Sequence, residues 1–426
     1  MTTSVRFHSH ACLGARAGRD VLLTDPWLFG KVFHRTWALR PPPDPAALDL
    51  ASVRHVWISH AHPDHLHIPS LRRIQERRAR RPLTIYYRKT RDHTVRDLLV
   101  KGGFEVVELE IGKETPIADR ISLTVFPTEE DSAVVIRLGD CVILNQNDCS
   151  LSPREIRALR RKFPRIDAWF FQFSLAGYYA NRGDEAGLEA ARRFHLELVE
   201  QYYSALQPRI FVPFASFFYY CKESNAFLND WAVTPAQLVA ALPNLPVQVL
   251  RPGDELLWRN WEERNRLNLE WWESLRLEPM IIEPHAAVPE RAVLRAADIF
   301  AHEMRGRDWL ELGKVQLAIE ETGRALALDF RRGSVELLEH DDPGKLVISA
   351  PAEELLFFFK SPHGADVQFG SCFEVYDAAR WWRLRRLRSA RGGRPGAWRR
   401  KILRRALRER FKRWFRRLKL RQARSV

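Results

Sequence analysis

Residues 60–65 read His-Ala-His-Pro-Asp-His, so four potential metal ligands fall within six positions, directly after the apolar run Val56-Trp57-Ile58-Ser59. A run of that kind reads as a buried strand. Side chains at i and i+2 leave an extended backbone on the same side, which sets His60 and His62 to share one ion. Pro63 turns the chain, and Asp64 and His65 then point to a second position nearby. Imidazole suits zinc, iron or nickel, and a mixed His/carboxylate set suits borderline or harder ions. The competing reading is a surface turn rich in His. Only 14 His occur in 426 residues, so three of them in six positions beside an Asp, behind an apolar strand, argue for a metal site.

The surrounding sequence supplies a frame. Residues 4–29 read as two strands, around 5–7 and 21–24, closed by Asp25-Pro26-Trp27; His8 and His10 in the first strand region read first as structural, with a position facing the metal cleft as the other reading. A helix is expected from Pro69 to about Arg78, a strand over 83–87 and a helix near 92–101 that stops at Gly102-Gly103. Strands follow at about 104–110, 120–126, 132–138 and 141–145. A helix over 153–163, a strand over 168–171, a long helix over 184–205 and a strand after Gln207 complete the pattern. Between them, 172–179 form an aromatic and small-residue loop of the kind that lines a pocket. Alternating strands and helices with a late run of strands fit an α/β (α+β) sandwich of two sheets with outer helices.

The chain is long enough for two domains and an extension. A metal-binding domain is expected over 1–256, an accessory α+β module over 257–379 and an Arg-rich helical tail over 380–426. The net charge of +15 lies in that tail: it holds 21 Lys/Arg and one acid, so the other 379 residues carry −5. Within 398–420, Leu403, Leu407, Phe411, Trp414 and Leu418 draw one helical face, with Trp398, Ile402 and Phe415 alongside. Such a helix suits an anionic membrane surface, where aromatic side chains insert and basic ones meet lipid headgroups. Nucleic acid has less use for a continuous apolar stripe, and no specific nucleic-acid partner is expected. Packing of the tail on the acidic body is the other reading. Five scattered Cys suit a reducing cytosol. No run approaches the length of a membrane span and no signal peptide is evident. The expected location is therefore cytoplasmic, with peripheral membrane attachment through the tail.

HxHxDH resembles the signature of the metallo-β-lactamase superfamily, and the resemblance implies αββα layering. VWISHAHPDHLHIPSL, the ILNQNDC turn, QPRIFVPFASF, the RPGD turn and Ile281-Ile282-Glu283-Pro284 follow in one order. Together they resemble the corresponding portion of CMP-N-acetylneuraminate hydroxylases and their bacterial relatives, over about residues 1–285. The resemblance implies His60, His62, Asp64 and His65 as metal ligands and Asp148 as a carboxylate bridging two ions. Read without it, Asp148 in its polar turn is a cap or Asx-turn residue.

The chain departs from the pattern in three places. The CxH and CxxH motifs of a Rieske centre, which those hydroxylases use for electron transfer, are absent. The third superfamily His is missing, and Glu129 or Glu130 stands as its substitute. The distal His is also missing, leaving Cys221 as a possible thiolate ligand or Lys222 as a fixed charge. Hydrolysis needs only the ions, a pocket and a group such as Asp64 to handle the proton. The sequence therefore points first to a zinc-dependent hydrolase, with one or two ions, acting on a small-molecule ester, amide or phosphoryl substrate. An iron-dependent hydroxylase holding two Fe ions and fed by a separate redox partner is the second reading. A binding protein on a decayed metal site is the third.

Overall fold

In the computed structural model, which describes residues 3–44, 48–78, 83–128 and 131–389, the apolar run before the His motif forms the strand Val53–Ile58. It is fourth in a six-stranded sheet ordered Thr3–Ser9, Cys12–Ala17, Asp20–Thr24, Val53–Ile58, Thr84–Arg88, Glu105–Leu109. The first three strands are antiparallel and the rest pair in parallel. A second six-stranded sheet runs Ile210–Phe214, Ala168–Gln172, Cys141–Asn147, Ser132–Leu138, Ile121–Pro127, Thr115–Ala118.

Alternation along each strand fixes the layers. Phe7, Leu13, Leu22 and Trp57 of the first sheet join Leu123, Val134, Ile136 and Leu144 of the second in one buried core. The intervening residues Leu23, Val56, Ile58 and Ile85 face outward and pack with Leu71 and Ile74 of the helix Ile68–Glu76 and Leu99 of Thr94–Lys101. On the far side of the second sheet, Trp169 and Phe171 meet Tyr202 of the helix Glu185–Leu206. The helix Pro153–Lys162 starts in a reciprocal Ser152/Glu155 capping box. The result is the αββα sandwich. Each fully buried Leu, Ile or Val contributes about 1.5–3 kcal/mol. A one-residue slip of Val53–Ile58 would exchange both faces, so this register fixes where His60 emerges.

Residues Met1–Pro284 with Phe369–Ser371 form one compact unit, and His285–Gln368 with Cys372–Val426 another. The division expected after residue 256 thus falls after Pro284. The helix Glu262–Leu277 belongs to the first unit because Trp272 stacks on Phe217 at 4.6 Å and donates its indole N–H to the Leu250 carbonyl at 3.1 Å. The second unit holds a five-stranded sheet ordered Ser334–Leu338, Ala325–Asp329, Lys314–Ile319, Leu346–Ala350, Glu374–Val375. Phe300 of the helix Glu290–Glu303 packs on Phe358 and Phe359 of Ala352–Lys360. The amphipathic stretch 398–420 lies outside the described residues. No helix among the described residues is long and apolar enough to cross a membrane.

Candidate metal centre

Four strands end at one edge of the sandwich, and each delivers a polar residue there. Thr3–Ser9 leads to His10, Asp20–Thr24 to Asp25, Val53–Ile58 to the Ser59–His65 turn, and Cys141–Asn147 to Asp148. Asp25 (φ 38°) and Asn147 (φ 45°) hold left-handed backbone at these exits. Asp and Asn tolerate that conformation better than most residues, and its cost is characteristic of functional turns. The two sheets are tied across the edge by Ser132 Oγ, which donates to the Ser59 carbonyl at 2.5 Å, and by Asn145 Nδ2, which donates to Thr24 Oγ1 at 3.2 Å.

Two groups of ligand atoms meet at His65. His10, Asp64 and His65 form one, and His60, His65 and Asp148 the other. His10 Nε2 and His65 Nε2 each lie 3.3 Å from Asp64 Oδ2. His60 Nε2 and His65 Nε2 each lie 3.7 Å from Asp148 Oδ2. His62 stands beside the second group, its Nδ1 2.8 Å from His60 Nε2. His65 Nε2, Asp64 Oδ1 and Asp148 Oδ1 are buried without hydrogen-bond partners. Buried polar atoms are nearly always satisfied, so three orphans on neighbouring side chains fit a cation site.

Asp25 organises the imidazoles from behind. Its Oδ1 accepts from the Ser59 backbone N–H at 2.8 Å, and its Oδ2 lies 3.0 Å from His65 Nδ1. A proton held on Nδ1 by that carboxylate leaves the Nε2 lone pair facing the cluster. Ser59 Oγ sits 2.9 Å from His60 Nδ1 and 3.2 Å from His65 Nδ1. The electrostatics favour positive charge here. Burial alone would lower the His65 pKa, yet Asp64, Asp148 and Asp25 hold it well above the usual imidazole value. Burial would raise Asp64, yet His65 and His10 keep it well below the usual carboxylate range. Burial drives His62 down to about 4, with His60 adding to the effect.

Apolar rings wall the cluster. Trp27 and Phe218 approach His10 edge-on at 5.5 and 5.6 Å between ring centroids. Phe369 and Phe33 lie 4.4 and 6.0 Å from His62. Behind the Gln172–Tyr179 stretch, Tyr179 Oη meets His195 Nε2 at 2.7 Å.

The structure thus brings His60, Asp64, His65 and Asp148 together, with His62 alongside. Cys221 sits elsewhere: its thiol, raised by burial, donates to the Arg35 carbonyl at 3.3 Å, and it belongs to neither group. Lys222 Nζ donates to the Pro284 carbonyl at 3.0 Å. Glu129 and Glu130 lie outside the described residues. Sequence reasoning put a structural role for His10 ahead of a cleft-facing one and gave Asp25 no role beyond closing a strand. For Asp25 a signal existed, since an Asp at the end of an apolar strand next to the motif strand can reach it. For His10 only the long-range pairing of its strand reveals the approach to Asp64, 54 positions away.

Residues 21–144 match the sequence profile of the beta-lactamase superfamily domain. The chain is 27% identical over 239 residues to the cytidine monophosphate-N-acetylneuraminic acid hydroxylase of Mus musculus, covering 53% of this chain and 41% of that protein. It is 26% identical over 250 residues to the same hydroxylase of Danio rerio, covering 55% and 42%. The match therefore spans about two fifths of the length of these relatives. Among solved structures, CmlA, a diiron beta-hydroxylase from Streptomyces venezuelae, is similar at TM-score 0.42 and 16% identity over 60% of this chain and 54% of that one. Igni18, a metallo hydrolase from Ignicoccus hospitalis, is similar at TM-score 0.37 and 16% identity over 60% and 98%.

Proposed function

Starting from a chain whose residues 21–144 are a β-lactamase superfamily domain, we propose that the protein is a metal-dependent hydrolase of a small-molecule ester, amide or phosphoryl substrate. The observation that carries this reading is the pair of ligand groups that meet at His65, whose side chains also carry three buried atoms without hydrogen-bond partners. His10, Asp64 and His65 would hold one ion, since the single free Nε2 lone pair of His65 serves one ion only, and His60 and Asp148 the other, with His62 beside them. Zinc is the proposed metal. Ions so held would supply Lewis acidity and would bring the pKa of a coordinated water to about 7. The protein's own part is placement: Asp25 and Ser59 orient His65 and His60, and the Trp27, Phe33 and Phe218 rings limit water around the cleft. Asp64, between His10 and His65, is the carboxylate proposed to accept and return the proton.

A second reading rests on a different observation, the similarity over 239 residues to hydroxylases. Under it the same side chains would hold two irons, and a separate redox partner would supply electrons. Metal analysis of protein purified without chelators distinguishes the two: zinc supports hydrolysis and two irons support oxygenation. The double substitution His60→Ala/His62→Ala is expected to remove the ion held with Asp148 and so to lower the metal content by one per chain. Wild-type metal content in that variant, still folded by circular dichroism, would remove the assignment.

A further inference from the structure

The side chains of the centre are not equally sealed. His10, His60, Asp64 and His65 are buried, whereas the Asp148 side chain is 23% exposed and His62 is partly buried, so the centre meets solvent on the side of those two residues. Two short segments from distant parts of the sequence meet over His62 there. The first lies in a three-stranded sheet ordered Phe218–Tyr220, Trp37–Leu39, Lys31–Val32. The last two of these strands are antiparallel, and the reversal between them runs through Phe33, His34 and Arg35 at φ 49°, 59° and 64°. Three successive residues in left-handed backbone, none of them Gly, make a strained turn that persists only where its surroundings hold it. Thr36 does so, its N–H donating to the Val32 carbonyl at 3.0 Å and its Oγ1 to the Phe33 carbonyl at 2.7 Å. The turn sets the Phe33 ring 4.5 Å from Trp37 and 6.0 Å from His62.

The second segment is Phe369–Ser371, three residues that belong to the first compact unit although the residues on both sides of them belong to the other. They form a strap with a seat of its own. Trp37 Nε1 donates to the Phe369 carbonyl at 2.9 Å, and the buried Asn225 donates through Nδ2 to the Gly370 carbonyl at 2.7 Å. Gly370 suits the close approach, because a Cβ there would stand 3.0 Å from Thr36 Oγ1 and 3.2 Å from Thr36 Cγ2. Ser371 leaves the seat at φ 57°. So held, the strap presents the Phe369 ring 4.4 Å from His62 and 5.1 Å from Phe33. The turn and the strap both rest on Thr36 and Trp37, and their rings close on the same imidazole. A benzyl ring offers an ion no ligand atom, so what it can alter is passage. Strain of the kind seen at Phe33-His34-Arg35 gathers at ligand clamps and switching segments.

Granted the metal-binding reading above, we propose that the Phe369–Ser371 strap is a gate on the His62 side of the centre, which sets how fast ions pass and not how tightly they are held. Closed, Phe369 covers His62 and abuts Phe33; opening lifts the ring from both. The test is stopped-flow zinc exchange on the full chain, measuring release to an excess of chromophoric chelator and uptake by metal-free protein. A gate is one barrier crossed in both directions. Phe369→Ala should therefore speed release and uptake by the same factor, about two- to tenfold for the loss of one aromatic contact, with equilibrium affinity unchanged. Gly370→Ala, which acts on the strap through Thr36, should shift both rates in the same direction. Phe369→Leu keeps apolar bulk and should fall between Phe369→Ala and the wild type. Circular dichroism establishes folding of each variant. Faster release with unchanged uptake, and so weaker affinity, would overturn the gate and leave Phe369 as a support for His62. Wild-type rates in folded Phe369→Ala and Gly370→Ala would also overturn it and reduce the rings to packing. A wild-type chain that takes up no zinc would instead remove the metal centre as read above, and the gate with it.

Discussion

Asp25→Asn is the substitution that separates orientation of the centre from ligation. The side chain is fully buried, touches no position where an ion would sit, and makes two contacts, to the Ser59 N–H at 2.8 Å and His65 Nδ1 at 3.0 Å. Asn keeps the shape, tolerates the φ of 38° and still accepts from Ser59 through its amide oxygen. What changes is the group opposite His65. The carboxylate, an acceptor only, becomes an NH₂ donor, so Nδ1 must accept and the proton moves to Nε2. That is the atom facing both Asp64 and Asp148. An Nε2–H cannot ligate, and restoring the other tautomer leaves an amide N–H against an imidazole N–H.

Losing a carboxylate behind a ligating imidazole typically weakens metal affinity 10- to 100-fold, which is about 1.4–2.7 kcal/mol. Because the one free Nε2 lone pair of His65 can serve a single ion, the loss should fall on the ion held with Asp64 and His10. The assay is competition for zinc against a chromophoric chelator, with circular dichroism to establish folding. Wild-type affinity in folded Asp25→Asn would refute the tautomer argument. Equal weakening of two ions would refute the assignment of His65 to one of them.

Three further expectations follow from other parts of the molecule. Asp148→Asn removes charge from the second group only, so metal analysis should find one ion fewer along with loss of activity; an unchanged count would leave Asp148 as a turn residue. Burial pushes His195 down to about 4, below the 6.5 of the unfolded chain, so the unfolded state takes up the proton first and stability falls as pH drops from about 6.5 toward 4. The loss attributable to this group is up to about 3 kcal/mol, and urea titrations of wild type and His195→Gln should converge across that interval. Residues 1–390 are expected to fold and keep activity while the full chain sediments with anionic vesicles at low salt; equal sedimentation of both would exclude the tail as an attachment.

Much of the frame was legible because periodicity reports burial directly. Val53–Ile58 and Ser132–Leu138 are apolar on one or both faces and lie where the pattern put them, as does the helix Glu185–Leu206. The strand Cys12–Ala17 escaped notice since Gly14, Ala15 and Ala17 carry no β signature; pairing with both neighbours, not propensity, makes it a strand. The boundary after Pro284 escaped for a related reason. A Trp- and Arg-rich helix looks like a change of domain in sequence, and only the packing of Trp272 on Phe217 assigns it to the first unit.

The candidate centre divides along the same line. Local spacing was enough to single out residues 60–65, because the density of ligand side chains is a local property, although His60 and His62 lie in the turn after Val53–Ile58 and not on extended backbone. It was not enough for His10 or Asp25, whose roles depend on which strand ends lie side by side. The order Thr3–Ser9, Cys12–Ala17, Asp20–Thr24, Val53–Ile58 sets the exit of Asp20–Thr24 directly beside the motif. The missing superfamily histidines take on a different meaning from this arrangement. An imidazole lost from one loop need not empty a ligand position if another strand ends at the same edge, and His10 arrives by that route, 3.3 Å from Asp64. Substitution at His10 therefore bears on whether the centre is depleted or rebuilt. If His10→Ala costs one ion, the ligand set has been reassembled from a new strand; if it costs none, the His10–Asp64 contact is packing, and the first group lacks its third donor.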